Sequence, residues 1–425
     1  MSRPAIVILY CLLAVHAAVR GADILKSDGS VVSGDVQSFD GRDLRLQLSS
    51  QSSTKPAATL SIDEIVQIRF HDISEWSNVD SNPAPAQSGK LPPVWRLKLS
   101  DGQVITGALR AWSENQFKIE QQQSRLVLEV PVSAIREIWR TSPEFVQKAI
   151  AMKLTANAED LAYVLKDDDI VAVKGSVLGL EGTSLGFVYE GQQRKIGVDR
   201  IVGVVLTPQK RSAATRPVAA GELNAINVSM VNGDVLSGSW KLFKDRTASI
   251  QSPWDQTLQL PQASISTIEI RNGRTTYLSE LKPVKVEQTP YFDRVIPWRA
   301  DSALDGGPLK LNDGKQYAHG IAMHSRCLLV YDLAGGFDEY HTRLGFEPIP
   351  SGAPEGRVAV RVLLDGKILF EAADFHSGES PRNLALNVHA GKLLTLEVDF
   401  GADEDVNDRV VWADARLVRH NPADQ

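Results

Sequence analysis

The stretch Tyr317-Ala-His-Gly320-Ile-Ala-Met-His324-Ser-Arg326-Cys-Leu-Leu-Val-Tyr331-Asp-Leu333 decides the fold of the C-terminal part of the chain. Apolar side chains alternate between two faces from Cys327 to Tyr331, which predicts a strand that is buried on both sides. Similar strands follow almost to the C-terminus, with an Asp365-Gly366 hairpin turn among them. Short strands at this spacing, without helical patterns, predict a two-sheet β-sandwich over residues 288–420.

The part of the chain before this block contains four copies of one pattern, which we call repeats 1 to 4. Each copy opens with two apolar runs joined by a turn, and a glycine follows the turn, namely Gly34, Gly107, Gly175 and Gly238. Each closes with two apolar residues three positions apart, namely Ile65 and Ile68, Ile135 and Ile138, Ile201 and Val204, and Ile265 and Ile268. Asp-Gly or Asn-Gly pairs in three of the opening turns indicate hairpins, and the later glycine indicates a bend or bulge. We therefore predict about five strands per copy, with one helical turn before the last strand.

The spacing of these copies gives the boundaries of the predicted domains. The four repeats occupy residues 22–76, 94–140, 159–207 and 224–272, with linkers at 77–93 and 208–223. A short helix is predicted within 141–158, because Ser142-Pro143 is typical of a helix start and helical spacing continues to residue 156. The pattern of each repeat resembles Sm-like or SH3-like β-barrels, and a four-bladed propeller is the alternative. The fold class is therefore all-β: tandem small barrels, one short helix and a sandwich.

Composition limits the function classes. The chain has 425 residues, 43% of them apolar, and a net charge of −6, which offers no basic surface for nucleic acid. Residues 1–21 read as a secretory signal peptide, because Arg3 precedes an apolar run of about a dozen residues, too short to span a bilayer; an uncleaved anchor is the alternative. We therefore expect a secreted or periplasmic protein with no membrane span after cleavage. Cleavage leaves only Cys327, which we expect to be a buried apolar residue without a disulfide partner.

The C-terminal block resembles a known family. The family's motifs occur in order as Gly320-Ile-Ala-Met-His324-Ser, Tyr331-Asp-Leu, Tyr340 to Gly345, Leu364-Asp-Gly-Lys367 and Trp412-Ala-Asp-Ala415. They resemble the NPCBM module, a carbohydrate-binding module first noted beside catalytic domains of glycoside hydrolase family 98. The resemblance implies a galactose-binding-like jelly roll, and some family members bind galactose-containing glycans with a structural calcium ion. The whole domain order also resembles exported proteins of planctomycete type.

Candidate site residues follow from this resemblance and from the local sequence. His324 and Arg326 offer hydrogen-bond donors to sugar hydroxyls, and Tyr340 and Trp412 offer stacking faces; packing in or near the core is the alternative for His324 and Trp412. The acidic stretch from Asp399 to Asp408 places Asp403, Asp405 and Asp408 as candidate ligands of a structural calcium ion, since calcium prefers several hard oxygen ligands. The alternative is a solvated acidic loop at the rim of the sandwich.

These observations lead to two hypotheses about function. The chain has no Gly-x-Ser-x-Gly, His-Glu-x-x-His or P-loop motif, so we expect no catalytic activity. The first hypothesis is an exported, non-catalytic carbohydrate-binding protein whose ligand is a glycan, of the galactose-containing class that the family implies. The alternative is a structural or protein-interaction scaffold of the cell envelope, whose sandwich no longer binds sugar and whose repeats bind envelope proteins.

Overall fold

The computed structural model describes residues 21–48, 57–71, 93–113, 115–121, 124–141, 143–152, 158–167, 169–207, 222, 224–402 and 404–419. Their regular structure is almost entirely β-strand, which confirms the all-β fold class. The chain divides into two compact units, one built mainly of residues up to Ile270 and one that contains the residues from Arg271 onward. No helix in the described ranges has the length and hydrophobicity needed to cross a membrane. The predicted signal peptide and most of both predicted linkers lie outside the described residues.

Each repeat consists of five strands, as the pattern predicts. Repeat 1 contains β1 (Ala22–Lys26), β2 (Val31–Phe39), β3 (Asp43–Leu48), β4 (Ala57–Ser61) and β5 (Ile65–Phe70), and repeat 2 contains β6 (Val94–Leu99), β7 (Val104–Trp112), β8 (Gln116–Glu120), β9 (Val127–Pro131) and β10 (Ile135–Arg140). Repeat 3 contains β11 (Asp160–Lys166), β12 (Asp169–Glu181), β13 (Ser184–Tyr189), β14 (Gln192–Gly197) and β15 (Ile201–Val205), and repeat 4 contains β16 (Ala225–Met230), β17 (Val235–Lys244), β18 (Thr247–Gln251), β19 (Thr257–Pro261) and β20 (Ile265–Ile270). The predicted helical turn before each last strand is a 3₁₀ turn, at Ile62–Glu64, Val132–Ala134, Val198–Arg200 and Gln262–Ser264.

The strands of every repeat pair in the same order. The first strand lies between the second and the fifth, the second pairs with the third, and the third pairs with the fourth. Closure of each sheet into an SH3-like or Sm-like barrel stays a prediction. The second strand of each repeat carries a register shift that begins two residues after the shared glycine, as in β2 between Val36 and Ser38. The predicted bulge is therefore confirmed.

The shared glycine has a steric cause. A Cβ atom on Gly34, Gly107, Gly175 or Gly238 would lie 2.7, 2.3, 2.1 or 2.4 Å from a backbone carbonyl oxygen of the third strand of the same repeat. Real Cβ contacts are longer than this, and a carbonyl in a paired strand cannot move aside without breaking the ladder. The second strand therefore bends against the third so closely that only glycine fits.

We expect the Gly175→Ala substitution to lower the free energy of unfolding by about 1–3 kcal/mol, because the new methyl group would clash with Val188 O and the Phe187 ring. Gly186→Ala in the same repeat is the matched control, since its nearest neighbour atom would be Leu178 Cβ at an ordinary 3.4 Å. Urea unfolding of both variants tests this. Equal stability of the two would contradict the steric explanation.

Neighbouring repeats pair through their last strands at equivalent residues. Ile68 of β5 faces Ile268 of β20, and Ile138 of β10 faces Val204 of β15. Each of these residues is the second closing residue of its repeat. The two repeats of each pair are therefore related by a local two-fold axis at this pairing. The edges of the last strands are therefore paired within the unit and are not left unpaired, where they could pair with another chain.

Repeats 2 and 4 also exchange side-chain hydrogen bonds at equivalent positions. The Ser237 amide donates to Gln103 Oε1 at 2.9 Å, and the Thr106 amide donates to Asp234 Oδ2 at 3.0 Å. Gln121 Nε2 donates to the same Asp234 oxygen at 2.8 Å. Burial raises the pKa of Asp234, and these donors oppose that rise. The reciprocal bonds join two repeats that the sequence shows only as separate copies.

The helix, α1 (Pro143–Ala151), begins at Pro143 as predicted and ends at Ala151, before residue 156. Ala149 is buried in an apolar cluster with Trp139 and Tyr163. The helix therefore covers apolar side chains of repeats 2 and 3. The predicted cap residue Ser142 lies outside the described residues.

The C-terminal unit contains the predicted sandwich. Its strands are β21 (Thr275–Tyr277), β22 (Lys285–Gln288), β23 (Arg299–Ala300), β24 (Gly320–His324), β25 (Cys327–Asp332), β26 (Glu339–Phe346), β27 (Arg357–Leu364), β28 (Lys367–His376), β29 (Arg382–Asn387), β30 (Leu393–Phe400) and β31 (Arg409–Val418). One sheet has the order β23-β24-β31-β26-β29 with β21 also paired to β31, and the other has the order β22-β25-β30-β27-β28. All their pairings are antiparallel. Strands β21 and most of β22 precede residue 288, where the sequence places the start of the domain.

The decisive stretch forms the predicted strand, which is fully buried on one face; on the other face Val330 is buried and Leu328 is half-buried. Cys327, Leu329 and Tyr331 of β25 are fully buried in the apolar core between the two sheets. Burial raises the pKa of the Cys327 thiol to about 12, so the thiol is un-ionised at neutral pH. The prediction that Cys327 is a buried apolar residue is therefore confirmed.

Candidate functional site

One end of the sandwich collects several of the predicted site residues. Strand β24 ends at His324 and β25 begins at Cys327, so the turn at Ser325 and Arg326 lies at this end. Because neighbouring strands are antiparallel, the start of β27, the end of β30 and the start of β31 lie at the same end. We call this region the site end of the sandwich.

Asp408 joins three segments of the site end. Its side chain is 1% exposed. The Ser325 hydroxyl donates to Asp408 Oδ2 at 2.5 Å, and the Arg357 amide donates to Asp408 Oδ1 at 3.1 Å. The carboxylate therefore connects the turn after β24 and the start of β27 to the segment that precedes β31.

His324, at the end of β24, is buried next to Ser325. Its Nδ1 lies 3.0 Å from the Ser325 carbonyl oxygen. Burial lowers the pKa of His324, while the Ser325 carbonyl and the charge of Asp405 act in the opposite direction. The imidazole is therefore neutral at pH 7 and presents one donor and one acceptor nitrogen.

This lowered pKa predicts a loss of stability in acid. The unfolded state, in which the pKa of His324 is about 6.5, binds a proton more readily than the folded state does. Stability is therefore present above about pH 6.5 and falls as the pH drops below it. We expect the melting temperature of the sandwich to fall between about pH 7.5 and 5.5, and to fall less in His324→Gln. An identical fall in the variant would show that other groups, such as His341, cause it.

Arg326 is half-exposed and lies among carboxylates on the outer face of the five-stranded sheet. Its guanidinium is 3.5 Å from Asp399 Oδ1 and 3.8 Å from Glu397 Oε1. The Arg361 guanidinium lies 3.5 Å from Asp399 and 3.2 Å from Glu397. It also pairs with Glu371 at 2.8 Å. The distances from Arg326 exceed those of direct charge-assisted hydrogen bonds, so these carboxylates do not saturate its donors.

Sequence reasoning missed Arg361, Glu397 and Asp399 as parts of this network. A signal was present, because Arg361 and Glu397 interrupt apolar runs in β27 and β30 at single positions. The register of the two strands places these residues directly opposite each other. The sequence does not show this register, since β27 and β30 are separated by β28 and β29.

The structure corrects the placement of Tyr340 and Trp412. Both are 0% exposed and lie in the apolar core between the sheets. The alternation of β26 and β31 turns these two rings inward, against residues such as Leu344 and Tyr331. Neither ring presents a face to a ligand here, so the packing role that the sequence left open for Trp412 fits its location. The binding roles of His324 and Arg326 stay predictions.

The candidate calcium ligands differ in their burial and in their hydrogen-bond partners. Asp405 is half-buried, Asp408 serves two protein donors, and Asp403 lies outside the described residues. In the described part of the chain, no three acidic, histidine or cysteine side chains form a group that could hold a metal ion. Asp408 therefore fits a structural role within the protein better than the role of a metal ligand.

Comparison with known proteins finds a family model that matches most of this unit. The model of the NPCBM/NEW2 domain matches residues 274–418, from just before β21 to the last residue of β31. This range is about a third of the chain. The family resemblance stated from sequence motifs is therefore confirmed for the sandwich. None of the curated proteins matches the chain.

Several solved structures of carbohydrate-binding modules are similar to the chain. The second CBM51 domain and INT domains of Clostridium perfringens ZmpB, in complex with GlcNAc, are 22% identical, with 41% of this chain and 36% of that chain covered and a TM-score of 0.32. CBM51 from Clostridium perfringens GH95, in complex with methyl-galactose, is 21% identical, with 34% of this chain and 99% of that chain covered and a TM-score of 0.30. Tandem CBM51 modules of a family 98 glycoside hydrolase from Streptococcus pneumoniae are 12% identical, with 94% and 88% covered and a TM-score of 0.30. The chain spans about a third of the length of the first of these structures.

Proposed function

We propose that this protein is an exported, non-catalytic carbohydrate-binding protein whose sandwich binds a glycan. The observation that carries the proposal is the family match to residues 274–418, which coincides with a complete set of paired strands, β21 to β31. The match includes the turn with His324 and Arg326 at the site end. The absence of a catalytic motif from the sequence supports a binding role rather than hydrolysis.

The site end has chemistry that suits a sugar. Arg326 supplies half-exposed donors, and Asp399 beside it supplies acceptors, at 27% side-chain exposure. Sugar hydroxyls both donate and accept, so they pair with mixed groups of this kind, and charged partners make the stronger hydrogen bonds. Protein groups that are fixed in advance by neighbouring ion pairs lose little entropy when they bind.

A glycan array probed with the full chain tests this function. We expect binding to a subset of oligosaccharides, and weaker binding by Arg326→Ala. Lys367→Ala is the matched control, because it removes an exposed cation at the hairpin between β27 and β28, at the opposite end of the same sheet. A blank array with the wild-type chain would overturn the proposed function. Equal loss in both variants would show a general effect of charge.

We further propose that calcium stabilises the loop before β31 without contacting the sugar. Among the described residues of this loop, Asp405 is the proposed calcium ligand, because the Asp408 carboxylate already accepts hydrogen bonds from Ser325 and Arg357. A ligand present at a hundredfold excess over its dissociation constant stabilises the folded state by about 2.7 kcal/mol. We therefore expect calcium to raise the melting temperature by several degrees over chelator, and Asp405→Ala to remove the difference. Identical melting in calcium and in chelator would end this proposal.

Export is also a proposal, because it rests on the sequence of residues 1–21 alone. N-terminal sequencing of the protein from envelope and soluble fractions tests it. We expect the mature chain to begin close to residue 21 and to be found outside the cytoplasm. Intact residues 1–17 on protein from the soluble cytoplasm would contradict export.

One observation favours the scaffold as a second candidate function. The last strands pair two by two, repeat 1 with repeat 4 and repeat 2 with repeat 3, and hydrogen bonds at Gln103 and Asp234 join repeat 2 to repeat 4, so the repeats form one continuous unit. A joined set of repeats is well suited to hold other proteins. If the glycan array is blank and cross-linking in the envelope captures a protein on the repeats, the scaffold is the better account.

A further inference from the structure

Two aromatic side chains are unusually exposed near the site end. Phe292 is 68% exposed and Tyr291 is 45% exposed. Both lie in the segment between β22 and β23, and their rings meet edge to face with centroids 5.0 Å apart. Soluble proteins seldom leave adjacent aromatic rings in water, and such patches commonly mark binding sites.

The position of this pair is fixed by contacts with the sandwich. The Tyr291 ring packs edge to face on Phe400, the last residue of β30, at 5.3 Å. Thr289 and Arg326 exchange both backbone hydrogen bonds, at 3.0 and 3.2 Å, which continues the pairing of β22 with β25. Gln288 Nε2 also donates to the Ile296 carbonyl at 2.8 Å, which joins the two ends of the segment. The rings are therefore part of an ordered surface, and rigid aromatic groups lose little entropy on binding.

The same contacts bring the aromatic pair next to the ionic network. Thr289, which pairs with Arg326 through both backbone hydrogen bonds, lies two residues before Tyr291, and the Arg326 guanidinium lies 3.5 Å from Asp399 Oδ1. One side of the surface is thus aromatic, and the adjoining side carries hydrogen-bonding groups. A pyranose ring has the matching division, since its C–H groups pack on an aromatic face while its hydroxyls reach outward to polar groups.

The balance of charges in the ionic network favours a neutral sugar over an acidic one. Two arginines, Arg326 and Arg361, face three carboxylates, Glu371, Glu397 and Asp399. The positive charges are already matched, so the network provides no excess of cation for a sialic acid or a uronate. The network does provide both donors and acceptors for a neutral sugar.

We propose that Tyr291 and Phe292, with Arg326 and Asp399 at their edge, form a binding surface for a neutral pyranose. This inference rests on the proposed carbohydrate-binding function and adds the location of the binding surface. Phe292 supplies an exposed ring for the apolar side of the sugar. Tyr291 holds the surface together through Phe400.

The test uses the full chain and an array of neutral oligosaccharides together with oligosaccharides that end in sialic acid or a uronate. The best ligand on the array is then titrated by calorimetry against wild type, Phe292→Ala and Tyr291→Ala. We expect Phe292→Ala to weaken binding about tenfold, which is about 1.4 kcal/mol. Ile368→Ala is the matched control, because Ile368 is 47% exposed on the same sheet at the opposite end, and its loss should leave affinity unchanged. Melting curves confirm that each variant is folded.

The outcomes separate this inference from the proposed function. Neutral binding that Phe292→Ala weakens and Ile368→Ala does not weaken supports the surface. If wild type binds glycans and both aromatic variants bind equally well, the location is wrong and the carbohydrate-binding function stands. Binding restricted to acidic sugars overturns the ligand class. A blank array for wild type overturns the function and, with it, this surface as a sugar site.

Discussion

Trp412→Ala is expected to lower the free energy of unfolding of the sandwich by about 3–5 kcal/mol, because it removes a fully buried indole and leaves a cavity in the core. Trp412 lies on β31, which pairs with both β24 and β26, so the cavity would open at the centre of one sheet. Urea unfolding with hydrogen exchange resolved to residues 290–418 measures the loss. The repeats should keep their protection.

A conservative variant separates packing from ligand contact at the same position. Trp412→Phe keeps an aromatic side chain in the core and should cost less than the alanine variant. Because the ring is covered on all sides, we expect folded Trp412→Phe to bind glycan as wild type does. A stable Trp412→Phe protein with lost glycan affinity would restore the stacking role that the sequence suggested for this residue.

Asp408→Ala is expected to cost about 3 kcal/mol, because it leaves the Ser325 hydroxyl and the Arg357 amide without their buried charged acceptor. The loss should be the same in calcium and in chelator, since the carboxylate serves protein donors. The free energy of unfolding of the same 290–418 region is the measurement. The turn after β24 and the start of β27 should exchange faster than the rest of the sandwich.

Asp405→Ala on the same loop is the matched control for this prediction. In chelator we expect its effect on stability to stay within about 0.5 kcal/mol, because the side chain is half-buried and bridges no two segments of the described chain. If Asp408→Ala were as stable as wild type in chelator and less stable only in calcium, then Asp408 would be a metal ligand. That result would reverse the assignment made from the geometry.

The local patterns of the sequence were sufficient for the strands and turns. Alternation from Cys327 to Tyr331 is a property of neighbouring residues, and it predicted a buried strand correctly. The Asp365-Gly366 pair predicted a hairpin, and both residues adopt the positive φ angles, 50° and 81°, that such a turn requires. The closing motif of each repeat predicted a helical turn, and each is a 3₁₀ turn.

The reason for the repeated glycine required the structure. The sequence shows that Gly175 recurs at its position, and it indicates a bend. Only the structure shows that the Val188 carbonyl oxygen lies 2.1 Å from the place that a Cβ atom would take. The close approach depends on how a bulged strand packs on its partner, which no local pattern encodes.

The sequence by itself determined the all-β class and the resemblance of the sandwich to its family, and it predicted the four repeats. The tertiary structure decided which side chains reach the surface. Trp412 and Tyr340 lie in the core, whereas Tyr291 lies against Phe400, more than a hundred residues further along the chain. Periodicity divides a strand into two faces but leaves open which face the opposite sheet covers and which distant residues lie beside it. Those choices depend on long-range pairing and burial, so the surface chemistry of the site end follows from the packed sandwich.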